Sequence, residues 1–133
     1  MVNAANLYNP LTLAYLGDAI LDLHVRQHVI MKLQAKPNAL HRAATFYVSA
    51  KSQAETYDAL LAEQYFNEQE QDILMRGRNA KSHTKAKNTD VVTYKKSTGL
   101  EAVIGYLQLA GEEARLQELL IKIVALCEER ERR

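Results

Sequence analysis

Between Pro37 and Gly77 the chain has neither glycine nor proline, and over all 133 residues the two together number seven. That is about half the usual share, so a helix meets few places where it must stop. An all-α domain is expected. Its 47% apolar content suffices for one hydrophobic core, and the length is read as one domain, residues 1–133, with no room for a second binding module.

The single Cys127 makes no internal disulfide, and one cysteine with four scattered histidines lacks the paired spacing of a structural zinc site. A reducing cytoplasm is the expected setting. The uncharged stretch from Met1 to Gly17 carries Asn3, Asn6, Asn9, Pro10 and Thr12, too polar for a signal peptide or a membrane span. A soluble protein with no membrane partner is expected.

Asn9 and Pro10 predict a helix start, a capping side chain followed by a residue whose missing N–H is no loss there. From Leu11 to about Leu33 the apolar set Leu13, Leu16, Ile20 and Leu23 runs at helical steps, widened by Leu21 and Val25, and predicts a largely buried first helix. Pro37 and Asn38 precede a second helix through Val48, and Ser49 or Ser52 caps a third carrying Ala54, Tyr57, Leu60 and Leu61. Asn67 and Glu70 have capping-box spacing for a short fourth helix ending near Gly77. Residues 79–90 read as an exposed basic loop. A fifth helix starts between Asp90 and Thr98 and runs to about Ala110; a sixth spans about Glu112 to Arg130, its terminal charge run from Glu128 fraying.

With 17 basic and 16 acidic side chains the net charge is +1, but the order of the charges is uneven. From Ser52 to Met75 there are six acids and no lysine or arginine, whereas residues 76–96 hold seven basic side chains against Asp90 alone. An exposed basic segment of this kind suits a polyanion, with affinity that falls as salt rises. Arg76, Arg78, Lys81, Lys85 and Lys87 are the candidate phosphate contacts, with Asn79 as a hydrogen-bonding neighbour. The alternative is a solvated segment that pairs with the acidic one.

Asp18 stands between Leu16-Gly17 and Ala19-Ile20-Leu21, and a carboxylate in so apolar a helix is costly to bury unless something meets it. It either pairs with Arg26 or a lysine, or serves as a ligand for a hard cation such as Mg²⁺. Asp22, one turn on, is a second ligand or a solvated neighbour. Glu101 lies between Leu100 and Ala102-Val103-Ile104 and either closes a helix start with Thr98 or faces a site. His24, His28, His41 and His83 are read as surface or packing residues.

These residues carry a resemblance. Leu13-Ala14-Tyr15-Leu16-Gly17-Asp18-Ala19-Ile20-Leu21 resembles the signature helix of the ribonuclease III catalytic domain, and Leu100-Glu101-Ala102-Val103-Ile104-Gly105-Tyr106-Leu107 resembles its second carboxylate helix. The Mini-III branch, which lacks the double-stranded RNA-binding domain, is closer still. That match rests on Lys36-Pro37-Asn38, Val48-Ser49-Ala50-Lys51-Ser52-Gln53-Ala54-Glu55, Arg76-Gly77-Arg78-Asn79-Ala80-Lys81-Ser82 and Lys87-Asn88-Thr89-Asp90-Val91.

The resemblance implies a helical, dimeric endonuclease fold in which Asp18 and Glu101 are catalytic carboxylates that bind Mg²⁺. It implies hydrolysis of double-stranded RNA to 5′-phosphate and 3′-hydroxyl ends, in the maturation of precursor large-subunit (23S) ribosomal RNA. It also implies a homodimer joined through the signature helix. Ribonuclease III proper has two further carboxylates where this chain has Ala14 and Thr98, a thinner set that the Mini-III branch shares. The competing reading is a non-catalytic RNA-binding or ribosome-assembly protein on the same fold.

Overall fold

A computed structural model describes residues 4–81 and 90–133, and the described residues form six α-helices and a short 3₁₀ turn (Ala4–Leu7) with no strand among them. Helix α1 (Pro10–Leu33) begins at the expected cap, the Asn9 side chain accepting the Leu11 N–H at 2.8 Å. Helices α2 (Pro37–Val48) and α3 (Ala50–Ala62) are separated only by Ser49, whose hydroxyl caps α3 by accepting the Ser52 N–H at 3.1 Å. Helix α4 (Glu68–Asn79) opens with the complete capping box: Glu70 N–H donates to Asn67 at 2.8 Å and Asn67 N–H donates to Glu70 at 3.0 Å. Helix α5 (Val91–Leu109) starts at Asp90, which accepts the Thr93 N–H at 2.8 Å, and α6 (Glu113–Glu131) closes the chain.

The helix at the centre is α5, packed against α1, α3, α4 and α6. From Ser97 to Leu107 every residue but Glu101 is buried, the pattern of a helix apolar on all sides. The expectation that α1 would be the largely buried helix is corrected. Its core stripe is Leu13, Gly17, Leu21, Val25 and Val29, while Leu23 is 59% exposed and Tyr15 83% exposed. Hydrophobic periodicity misjudges the face because the stripe contains a glycine, which has no side chain to count.

That glycine sets the geometry. A Cβ on Gly17 would lie 1.8 Å from the Glu101 carbonyl oxygen, and one on Gly105 would lie 1.9 Å from the Leu13 carbonyl oxygen. Helices α1 and α5 therefore cross backbone to backbone, closer than any side chain permits. Gly77 and Gly99 do the same for α4 and α5, where a Cβ on Gly77 would meet the Gly99 Cα at 2.9 Å.

The terminal charge run also departs from expectation, because Glu128 and Arg130 are tied down. Glu128 accepts from His28 and Lys32 of α1, both at 2.9 Å, and from the Tyr47 hydroxyl of α2 at 2.8 Å. Arg130 donates to the Ser52 carbonyl and the Thr56 hydroxyl of α3. The buried Glu70 carboxylate takes both arms of Arg115, at 2.8 and 2.9 Å, joining α4 to α6. Among the described residues no helix is long and apolar enough to cross a membrane.

Candidate active site

The α1–α5 crossing determines which side chains meet. Asp18 follows the glycine pressed against the Glu101 backbone, and Glu101 stands one turn before the glycine pressed against Leu13. The two carboxylates are thereby brought within hydrogen-bonding contact. Asp18 is exposed, whereas Glu101 is the one partly buried residue in an otherwise buried stretch of α5.

Burial first, and then the hydrogen bond and charge of Asp18, push the Glu101 carboxyl up to about 9; the Gln53 amide opposes the shift by donating to it. Burial, followed by the Asp18 charge, also raises Asp22, against the pull of Arg26. Asp22 is thus half-buried and senses the pair rather than standing apart in solvent. Arg26 acts on Asp22, and no ion pair to Asp18 or Glu101 is formed among the described residues. The helix-start role for Glu101 is excluded, since Asp90 caps α5 ten residues upstream of Leu100 and Thr98 donates its hydroxyl to the Tyr94 carbonyl at 3.0 Å.

Two carboxylates with no described counter-charge, one retaining its proton past neutral pH, are a donor set suited to a hard divalent cation. They form a pair and not a cage: no group of three or more histidine, cysteine or acidic side chains among the described residues is placed to hold a metal. Ala14 has no side-chain oxygen, and Thr98 is a buried neutral hydroxyl that donates to the Tyr94 carbonyl, so neither position adds a carboxylate to the pair.

A family model for the ribonuclease III domain matches residues 11–112. Across 96% of both chains the sequence is 58% identical to the Mini-ribonuclease 3 of Staphylococcus aureus. The chain belongs to the ribonuclease III family, on its Mini-ribonuclease 3 branch. The Mini-ribonuclease 3 of Streptococcus pneumoniae is 52% identical over 86% of this chain and 90% of its own. A crystal structure of a Fusobacterium nucleatum protein superposes with a TM-score of 0.79 at 27% identity, covering 93% of this chain and 98% of that one. As a Mini-ribonuclease 3 family member the chain is an endoribonuclease, and ribonuclease III enzymes generally use a divalent metal.

The basic segment divides into parts with different partners. Arg76, in the last turn of α4, donates to the Asn6 carbonyl at 2.7 Å and the Tyr8 carbonyl at 3.3 Å, so it braces the chain ahead of α1. Arg78 reaches Asn79 at 3.4 Å, and Lys81 is exposed. Lys96 pairs with Asp58 at 2.8 Å, the one place among the described residues where the basic segment meets the acidic one in an ion pair. Lys85 and Lys87 lie outside the described residues. Because Gly77 touches Gly99, two residues before Glu101, the Arg76-Gly77-Arg78 run of this chain lies beside the carboxylate helix.

Sequence reasoning gave Gln53 no role. The signal was present, since Gln53, Tyr57 and Leu60 share one buried face of α3, and an amide on such a stripe needs a partner.

Proposed function

We propose that this endoribonuclease cleaves double-stranded RNA with Mg²⁺ held by Asp18 and Glu101. The observation that carries the reading is the Asp18–Glu101 pair, drawn together at a glycine crossing with no described cation to neutralise it. A bound divalent ion lowers the pKa of its water and stabilises charge on the phosphate oxygens. Asp18, the exposed partner, offers its carboxylate outward toward a phosphodiester, and Glu101 supplies the second ligand from inside the fold. The products are 5′-phosphate and 3′-hydroxyl ends.

Arg78, Asn79 and Lys81, with Lys85 and Lys87, track the duplex backbone, while Arg76 adds charge from its anchored position. Double-stranded RNA is read mainly by shape and phosphates, which suits a surface of cations without base-reading side chains. Two copies joined through α1 would place one carboxylate pair on each strand. The resemblance to the Mini-III branch supports precursor large-subunit ribosomal RNA as the substrate and the cytoplasm as the setting.

The test is cleavage of an end-labelled RNA duplex with Mg²⁺ by the wild type, Asp18→Asn and Glu101→Gln. Loss of cleavage by at least about 100-fold in both variants, with duplex binding retained, is the expected result. Full activity in Asp18→Asn would remove the site assignment, and binding without metal-dependent cleavage in the wild type would remove the reaction.

A further inference from the structure

Gln53 is 2% exposed, and a buried amide in a folded interior uses its donors and acceptor. One N–H donates to the Val48 carbonyl at 3.0 Å, and the amide also donates to the Glu101 carboxylate. The Val48 carbonyl can only accept, so the amide cannot turn over without setting its own oxygen against it. Its carbonyl oxygen is thereby fixed in place, buried, and without any donor among the described residues.

We propose that Gln53 is a positioning residue for the carboxylate pair, orienting Glu101 through its amide N–H and offering its fixed carbonyl oxygen to a water carried by the bound cation. The inference rests on the reading that Asp18 and Glu101 hold a divalent ion. With Ala14 and Thr98 supplying no carboxylate, that ion keeps more of its waters, and those waters need acceptors. Outer partners that orient a ligand in this way commonly account for about 10-fold or more in metal affinity. The Val48 bond adds rigidity, because it ties the same amide to the α2–α3 corner, where Ser49 leaves no slack between the helices.

The experiment measures Mn²⁺ binding by calorimetry on the full chain, together with kcat and KM for a labelled duplex. Gln53→Met keeps the length and loses every polar contact; it is expected to bind Mn²⁺ about 10-fold more weakly and to lose kcat, with KM unchanged. A folded Gln53→Met with wild-type Mn²⁺ affinity overturns the proposal. If that variant fails to fold, Gln53→Asn decides: it keeps the amide but is one carbon too short to hold the Val48 carbonyl and reach Glu101 together, so Mn²⁺ is again expected to bind about 10-fold more weakly, and wild-type affinity overturns the proposal. The cation reading fails separately, and the Gln53 role with it, if the wild type binds no Mn²⁺ or if Asp18→Asn and Glu101→Gln bind it as tightly as the wild type does.

Discussion

A carboxyl that keeps its proton to about pH 9 makes Glu101 a source of instability whenever no cation is bound. Its folded value lies above the ordinary 4.5, so between those limits the folded chain binds more protons than the unfolded chain, and stability falls as pH rises through that window. Glu101→Gln removes the charge and keeps a hydrogen-bonding partner for Asp18. In chelator at pH 8 the variant is expected to be more stable than the wild type, on the order of 1–2 kcal/mol and about 5 °C in Tm, while being inactive. At pH 5 the difference should vanish. Melting curves across pH 5–9 check both statements, and a wild type that is no less stable at pH 8 than at pH 5 relative to the variant would overturn them. Sequence alone exposed this residue only as a carboxylate in an apolar run. Its partner lies 83 positions away, and the proton is retained because of burial among residues that no local pattern brings together.

Helix starts were legible because capping is local: Asn9 with Pro10, and Asn67 with Glu70, need only their own next turn. The packing face of α1 was not, because a glycine stripe is defined by what presses on it. At an unconstrained helical position Gly→Ala would stabilise by about 1 kcal/mol. At Gly17 the added carbon meets a carbonyl at 1.8 Å, so Gly17→Ala is expected to destabilise by about 2 kcal/mol or more and to separate Asp18 from Glu101, with cleavage falling further than stability does. Thermal unfolding read beside the rate checks this; a stabilised, active Gly17→Ala would refute the crossing. The far end of α1 is held differently. Burial alone would raise the Glu128 carboxyl, but hydrogen bonds from Lys32, His28 and Tyr47 together bring it down from 4.5 to about 2. A lowered folded value gives stability that is complete above pH 4.5 and lost as pH falls toward 2. Glu128→Gln should therefore lower Tm at pH 7 and converge with the wild type near pH 2. Equal melting temperatures at pH 7 would show that the three-helix junction contributes nothing. The expectation of fraying failed here for an identifiable reason: terminal charges fray only when nothing receives them, and α1 and α2 supply three donors.

Across the whole molecule, a net charge of +1 conceals an acidic segment followed by a basic one, and the fold uses the two unequally. Lys96 is consumed by Asp58 and Arg76 by backbone carbonyls, which leaves Arg78, Lys81 and, on α5 itself, Lys95 as the other described cations of the basic segment. One small basic surface of this size gives limited grip on a duplex, whereas in the proposed dimer two copies would double it and would set one carboxylate pair against each strand. The face available for pairing is on α1. Tyr15, Leu23 and Ile30, eight and seven residues apart, lie on one side of the helix and are 83%, 59% and 54% exposed. Leu23→Glu with Ile30→Glu places charge on that face without touching the core stripe of Leu13, Gly17, Leu21, Val25 and Val29. The double variant is expected to sediment at half the wild-type mass with an unchanged helical circular dichroism spectrum. It should nick one strand of a labelled duplex at a reduced rate in place of cutting both, because the chemistry needs only the carboxylates of one copy while the paired cut needs two. A wild type that sediments as a monomer at concentrations where it severs both strands would remove the dimer and leave the exposed face of α1 for another role.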